Sequence, residues 1–220
     1  MSFRFNHRRP VHVFFSRRGK IDFKRFGVAF LVAAGIQTLL LSIDLFSGNT
    51  TLHWNFKPES FALLLAICVF FVPLQTGFEE LLCRGYILKW TGKATSRGLA
   101  VILINGLVFG ALHSFNVEII RLGWFAMLFY VCSGIFAALI TVMDDGIELS
   151  WGFHTANNFM GLLIVSSEWQ SLPTDALFLD KSQPDITWGL LITLVVSYPL
   201  MVFILARIYR WKNWKKRLIG

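Results

Sequence analysis

Phe61-Ala62-Leu63-Leu64-Leu65-Ala66-Ile67-Cys68-Val69-Phe70-Phe71-Val72-Pro73-Leu74 is an apolar run, and close behind it come Thr76-Gly77-Phe78-Glu79-Glu80-Leu81-Leu82-Cys83-Arg84-Gly85-Tyr86. As one helix, the first stretch belongs in lipid, and the second takes two carboxylates and a guanidinium in with it. A charge at that depth costs several kcal/mol on most scales, so such groups face a bundle interior or a water-filled cavity and mark function. On a helix, Glu80 and Arg84 stand four residues apart on one face and can pair, which lowers the cost of both. Glu79 lies about 100° round the same helix and has no such partner. An unpaired carboxylate in apolar surroundings is suited to take a proton from water. The bland alternative is that all three charges sit at the membrane edge and anchor a helix end.

The rest of the chain fits that setting. Of 220 residues, 55% are hydrophobic and only 15% charged, and several apolar runs approach or exceed the roughly 20 residues a spanning helix needs. The expected fold class is all-α, a polytopic helical membrane protein with about six transmembrane helices. Residues 1–25 form a basic arm on the membrane surface, 26–210 a single transmembrane domain, and 211–220 a basic tail. The formal charge of +8 gathers at the two ends, which reads as membrane topology and not as a nucleic-acid footprint. Cys68, Cys83 and Cys132 fall inside apolar segments; their odd number argues for packing thiols over a disulfide framework. The first apolar run starts late and is long enough to stay in the membrane, so no cleavable signal peptide is expected.

Arg4, Arg8, Arg9, Arg17, Arg18, Lys20, Lys24 and Arg25 face only Asp22, which puts the N-terminal end in the cytoplasm by the positive-inside rule. His7 and His12 belong to this arm and read as solvated; Phe3, Phe5, Phe14 and Phe15 rest it on the membrane. Span one runs from Phe26 to Phe46, with Asp44 near its far end and Ser47-Gly48-Asn49-Thr50 as its exit turn. Span two starts at Pro58-Glu59-Ser60 and continues to about Trp90, loosened by Pro73 and Gly77. Span three, Leu99 to Leu112, ends on His113 and carries Asn105, Phe109 and His113 on one stripe. Span four, Ile119 to Met143, is smoothly apolar apart from Ser133-Gly134, a close-packing signal. After the turn Asp144-Asp145-Gly146, span five covers Ile147 to Ser167, and His154 and Asn158 share one face of it. An acidic outer loop, Glu168 to Asp185, leads to span six, Ile186 to Tyr209, and to a basic tail. Both termini are therefore expected in the cytoplasm.

Three helices thus carry groups that lipid does not tolerate. Measured from the cytoplasmic ends at 1.5 Å per residue, Glu79 lies roughly 16 Å in, His154 roughly 10 Å and Asn158 roughly 16 Å, with His113 deeper at about 24 Å. One pocket on the cytoplasmic side of mid-membrane accommodates them, with strain at His113. Taken alone, each histidine is more often a hydrogen-bonded core residue than a catalyst. Peptide hydrolysis needs a base for water and donors aimed at a developing oxyanion; Glu79 with His113 can supply the first, His154 with Asn158 the second. A zinc site would use Glu79, His113 and His154 with an open fourth position. Against it, Asn158 is a poor zinc ligand and no further acid is free as base, so no cofactor is favoured. Ser114 and Thr155 adjoin the histidines but lack the base-and-orienter arrangement of a serine nucleophile. His53 falls in an outer loop.

Glu79-Glu80-x-x-x-Arg84, Phe109-x-x-x-His113 and His154-x-x-x-Asn158, in this order and each in an apolar helix, resemble the CPBP family. This is the CAAX-protease and bacteriocin-processing group, also called Abi, which includes the Rce1-type endopeptidases. The resemblance spans about residues 60–170. It implies an intramembrane endopeptidase in a bacterial plasma membrane, acting on a membrane-associated peptide or protein. The family was long described as metalloproteases, and its better-understood members resemble glutamate-dependent peptidases. Carried over, Glu79 matches the general base and His113 the histidine that holds the water. His154 and Asn158 match the oxyanion pair, and Glu80 and Arg84 match structural supports. The chain departs from Rce1-type members in having fewer spans and a short outer loop, which bears on CAAX specificity. Two other classes fit less well. A silent family member acting as an immunity or scaffold protein would not need intact motifs, and a transporter would show inverted repeats.

Overall fold

The computed structural model describes residues 12–48, 51–183 and 187–220. Arg4, Arg8, Arg9, His7, Phe3 and Phe5 of the arm, Asn49 and Thr50 of the exit turn, and Asp185 and Ile186 lie outside the described residues. The protein is all-α and polytopic: α1 (Phe23–Ser47), α2 (Pro58–Ala94), α3 (Gly98–Leu112), a short α4 (Val117–Leu122), α5 (Met127–Asp144), α6 (Glu148–Leu163), α7 (187–209) and a short α8 (Trp214–Leu218). Phe23–Ser47, Pro58–Ala94 and Trp124–Asp144 are long and apolar enough to cross a membrane, and Gly98–Leu112 and Thr193–Tyr209 are shorter apolar helices.

Local chemistry sets these boundaries. Asp22 caps α1, its carboxylate accepting from the backbone N–H groups of Lys24 and Arg25. Gly48, in the left-handed conformation (φ 70°), closes that helix. Pro58 starts α2 at a position whose N–H would be unpaired anyway, and Glu59 sits in the first turn. Down this helix Leu63, Phe70, Phe71, Leu74 and Phe78 stay exposed, as a face turned to lipid requires.

The core forms where α1 and α6 pack along each other and α5 and α7 close over them, around Ala29, Ala33, Phe136, Phe153, Tyr198 and Leu205. Next to it, α3 packs along α5 through small residues. A Cβ added at Gly134 would sit 2.9 Å from the Cα of Gly106, so these backbones touch as the Ser133-Gly134 pair suggests. Cys68, Cys83 and Cys132 are free thiols, the first two buried.

Four features differ from the expected layout. The helix through Pro73 and Gly77 runs on unbroken, and the irregularity comes after the Glu pair, as a π-helical stretch Leu81–Ile87. Span four is not one helix: Gly123, at φ 76°, breaks it, and a single 3₁₀ turn, Trp124–Ala126, starts it again. Few other residues adopt that backbone at low cost. Span five stops at Leu163, and the chain runs into a strand. Strands β1 (Leu52–Trp54), β2 (Val165–Ser167) and β3 (Phe178–Asp180) form a small sheet in the order β1-β3-β2, antiparallel for β1 and β3 and parallel for β2 and β3. Each strand has three residues, too short for an alternating pattern to register in sequence. His53 lies exposed on β1.

At the opposite end from the sheet, the described part of the arm is tied down. Ser16 bridges Gly146, the Arg17 N–H donates to the Asp145 carbonyl (3.0 Å), and Ile147 N–H donates to Phe15 (2.8 Å). Arg18 pairs with Glu148 at 2.8 Å, Arg25 with Asp144, and Arg217 of α8 with Asp145 at 2.7 Å. Residues 12–18, the turn 144–146 and α8 therefore meet at one end of the bundle. Of the arm's phenylalanines, Phe14 packs on Tyr86 and Phe15 on Trp151, both half-buried.

Candidate functional site

Two contacts fix α2 against α6. Thr76 and Thr155 join hydroxyls at 2.8 Å, and the Trp151 indole N–H donates to the Pro73 carbonyl at 2.8 Å. Trp151 lies flat enough on α2 that a Cβ at Gly77 would come 3.0 Å from its Nε1. Thr155 thus serves helix registry, and Ser114 Oγ donates to the Ala111 carbonyl at the end of α3. With that registry set, Glu79 and Glu80 face His154.

Glu80 is the hub. Its Oε1 accepts from Arg84 Nη1 at 2.7 Å and from His154 Nδ1 at 3.0 Å, with Glu80 and Arg84 both 1% exposed. The Arg84 guanidinium also lies over the Phe109 ring, 4.3 Å from its centre, and reaches the Gly134 carbonyl. The predicted Glu80–Arg84 pair is present, and it holds the catalytic candidate His154 as well. A carboxylate cannot donate while ionised, so the His154 proton on this side belongs to Nδ1. Its Nε2 then points at Glu79 Oε2, 3.7 Å away.

Glu79, expected to stand without a partner, has one that the sequence reading missed. Gln75, one turn earlier, donates its amide to Glu79 Oε1 and accepts from Asn158 Nδ2 at 3.2 Å. A Gln75-x-x-x-Glu79 spacing was there to be read, since residues four apart share a helix face. Asn158 therefore spends one amide proton on Gln75 and keeps the other.

His113 caps α3. Its Nδ1 donates to the Phe109 carbonyl at 2.8 Å, which leaves Nε2 as the ring's acceptor. The imidazole sits between Phe109 and Tyr130, stacked on the latter at 4.6 Å and 20°. Tyr130 was also missed, because α5 reads as featureless in sequence. Its hydroxyl joins Asn116 (3.1 Å) and Glu118 (3.4 Å), and Glu118 in turn accepts from the backbone N–H of Ser171 at 2.8 Å. Partial burial alone would push the Glu118 carboxyl up, but the Ser171 hydrogen bonds outweigh it and hold it below the usual range.

Glu79, His113, His154 and Asn158 all line one cavity of about 820 Å³, along with Gln75 and Tyr130. The strain expected at His113 comes from ending α2 too early. The helix runs on to Ala94, so Glu79 precedes Ala94 by 15 residues just as His113 follows Gly98 by 15. The π-helical stretch also serves the site: Asn105 Nδ2 donates to the Cys83 carbonyl at 2.8 Å, tying α3 to α2 behind Glu80. Among the described residues, no three His, Cys, Asp or Glu side chains gather closely enough to hold one metal ion. Each imidazole has already committed its Nδ1, to Glu80 and to a backbone carbonyl. Zinc ligation by Glu79, His113 and His154 would need them to converge further.

Residues 58–160 match the family model described as type II CAAX prenyl endopeptidase Rce1-like. All three motifs fall inside that stretch, which is similar to that family. The chain is also 28% identical over 169 residues to the uncharacterized protein YyaK of Bacillus subtilis (strain 168), a match covering 76% of this chain and 56% of that protein. The chain thus spans little more than half the length of that relative. No solved structure matches.

Proposed function

We propose, on the premise that residues 58–160 form an Rce1-like segment, that this protein is an intramembrane endopeptidase that hydrolyses a peptide bond in a membrane-associated peptide or protein. The observation that carries this is the shared cavity, onto which Glu79, His113, His154 and Asn158 all open. Glu79 is 31% exposed and lines the cavity, while its neighbour Glu80 is sealed. The same cavity is lined by Leu82, Leu112, Phe129 and Leu162, which suit the apolar flank of a membrane-embedded substrate.

In the proposed reaction a water donates one hydrogen bond to Glu79 and the other to His113 Nε2. Glu79 takes the proton as the water oxygen adds to the carbonyl carbon. The resulting oxyanion is met by the free N–H of Asn158 and lies against the His154 ring, which Glu80 holds in place. Glu79 then returns the proton to the leaving nitrogen as the C–N bond breaks, and the site is restored. Gln75 keeps the Glu79 carboxylate aimed. No metal takes part in this mechanism. The bilayer orientation we propose has both termini in the cytoplasm, supported by the basic arm and tail; a reporter fused at Lys215 and found outside would overturn it.

The test is purified protein cleaving a membrane-anchored peptide with and without a strong chelator, followed by metal analysis. Cleavage that survives chelation is expected. Stoichiometric zinc, with activity lost on chelation and restored by zinc, would overturn the glutamate mechanism and leave the peptidase assignment standing. No cleavage of any membrane-anchored peptide by a folded preparation would sink the assignment itself.

A further inference from the structure

A second concavity, of about 500 Å³, lies at the end of the bundle away from the sheet. Arg17, Arg18 and Arg25 reach it from the arm and the start of α1, Asp144 and Asp145 from the end of α5, and Arg210, Lys212 and Arg217 from the turn after α7 and from α8. Both carboxylates are already engaged. Asp145 pairs with Arg17 (3.1 Å) and Arg217 (2.7 Å), and Asp144 pairs with Arg18 (3.5 Å) and Arg25. Arg210 and Lys212 make no ion pair among the described residues. The lining therefore sets six cationic side chains against two carboxylates. Counting Asp22 and Glu148, which pair with Arg25 and Arg18 beside it, cations still exceed carboxylates by two.

The turn that presents the unpaired cations is fixed. Arg210 and Asn213 both take left-handed backbone (φ 51° and 59°), and Trp211 between them is pinned twice. Its N–H donates to the Ala206 carbonyl (3.1 Å) and its indole to Asp144 (3.2 Å). Arg210 and Lys212, its neighbours in sequence, stand exposed. Tyr209, Trp211 and Trp214 cluster where α7 ends, and aromatic residues of this kind mark a membrane–water boundary. A concave, cation-rich site at that level matches a phosphate in charge and in donor geometry, because guanidinium forks engage phosphate oxygens in pairs.

We propose that this pocket binds a phosphate-bearing anion at the membrane surface, foremost the headgroup of an anionic phospholipid. A zwitterionic headgroup brings its own cation into a site that already has an excess, so the pocket discriminates against choline lipids. Soluble pyrophosphate offers the same oxygens without an acyl chain, and the test separates the two.

The full chain in neutral detergent is unfolded thermally with phosphatidylglycerol, phosphatidylcholine or pyrophosphate added. Two variants accompany it: R210Q/K212Q, which removes the exposed cations of the pocket, and K215Q/K216Q, which removes the same charge from the exposed face of α8 outside it. At saturation phosphatidylglycerol should raise the midpoint by about 5 °C, phosphatidylcholine by far less. R210Q/K212Q should lose more than half of that rise and K215Q/K216Q should keep it. A rise given by pyrophosphate alone, and lost in R210Q/K212Q, assigns the pocket to soluble phosphates. No rise with either anion, or an equal rise in both variants, overturns the proposal.

Discussion

Two regions of this protein are built from carboxylates and arginines, and they are balanced in opposite ways. At the bundle end, Arg17, Arg18, Arg25 and Arg217 serve Asp144, Asp145 and Glu148, and every carboxylate has at least one guanidinium. At the candidate site one guanidinium, Arg84, stands near two carboxylates and pairs with Glu80. Glu79 is left with an amide and an imidazole. A sealed carboxylate without a cation is among the most costly features a core can hold, so the arginine goes to the one that is sealed. The carboxylate denied an arginine is the one that opens onto the cavity. The contrast separates a clamp from the proposed reactive centre more sharply than residue type does.

The largest expected effect breaks the reactive side of that contrast. Glu79→Gln keeps the shape and the Gln75 contact but cannot accept a proton, so cleavage should fall by about 10²–10⁴-fold with the unfolding midpoint unchanged. His113→Ala should cost a similar factor, since the water loses its second acceptor. A Glu79→Gln variant that cleaves at the wild-type rate would show that the uncompensated carboxylate is not the base.

Glu80→Gln tests the sealed carboxylate. It strands Arg84 at 1% exposure with no counter-charge, and breaking a buried pair from one side costs about 3–5 kcal/mol. Loss of folded protein in detergent should therefore be the first symptom. Because His154 also hangs on Glu80, whatever fraction folds should cleave poorly too. A stable Glu80→Gln protein would mean that the Arg84 charge is screened by groups other than Glu80.

Asn158→Ala should be milder, about 10²–10³-fold in rate, as the loss of one oxyanion donor. Gln75→Ala sharpens the same point, because it removes no proposed donor to substrate and only frees the Glu79 carboxylate and the Asn158 amide. Its rate loss should be smaller than that of Asn158→Ala. If the two losses are equal, Asn158 acts by holding Gln75, and the oxyanion role falls.

Sequence carried the all-α polytopic class and the helices bearing Glu79, His113 and His154, because charge in an apolar run is a rare and costly signal. The Glu80–Arg84 pair was legible for the same reason, being four residues apart on a helix. What was not legible came from contacts across helices. Nothing in the spacing of His154 says that its Nδ1 will meet Glu80 and not an oxyanion, and Tyr130 gains its role only by lying under His113. Gly123 was passed over since a single glycine in an apolar run gives no hint of a positive φ. The clamp was hidden by distance in sequence: Arg18 and Glu148 are 130 residues apart, and each alone reads as a surface charge.

The smallest effect concerns that clamp. Partial burial alone would push the Asp145 carboxyl up; hydrogen bonds from Arg217 and Arg17, with their charges, outweigh it and hold it below the usual range. The unfolded chain titrates near 3.9. A group whose folded value is depressed contributes stability that is complete above the unfolded value and is lost as pH falls through the folded one. The Asp145 contribution is thus present at pH 7 and fades below about pH 4. Its size is limited by solvent: Arg17 is 77% exposed and Asp145 31%, so a few tenths to about 1 kcal/mol is expected, less at high salt. Asp145→Asn should lower the unfolding midpoint slightly at pH 7, and the difference from wild type should shrink as the buffer is taken to pH 3. Cleavage per folded molecule at pH 7 should not change, because the clamp and the cavity share no side chain. A gap that widens in acid would reverse the sign, and would mean that burial outweighs the two arginines at Asp145.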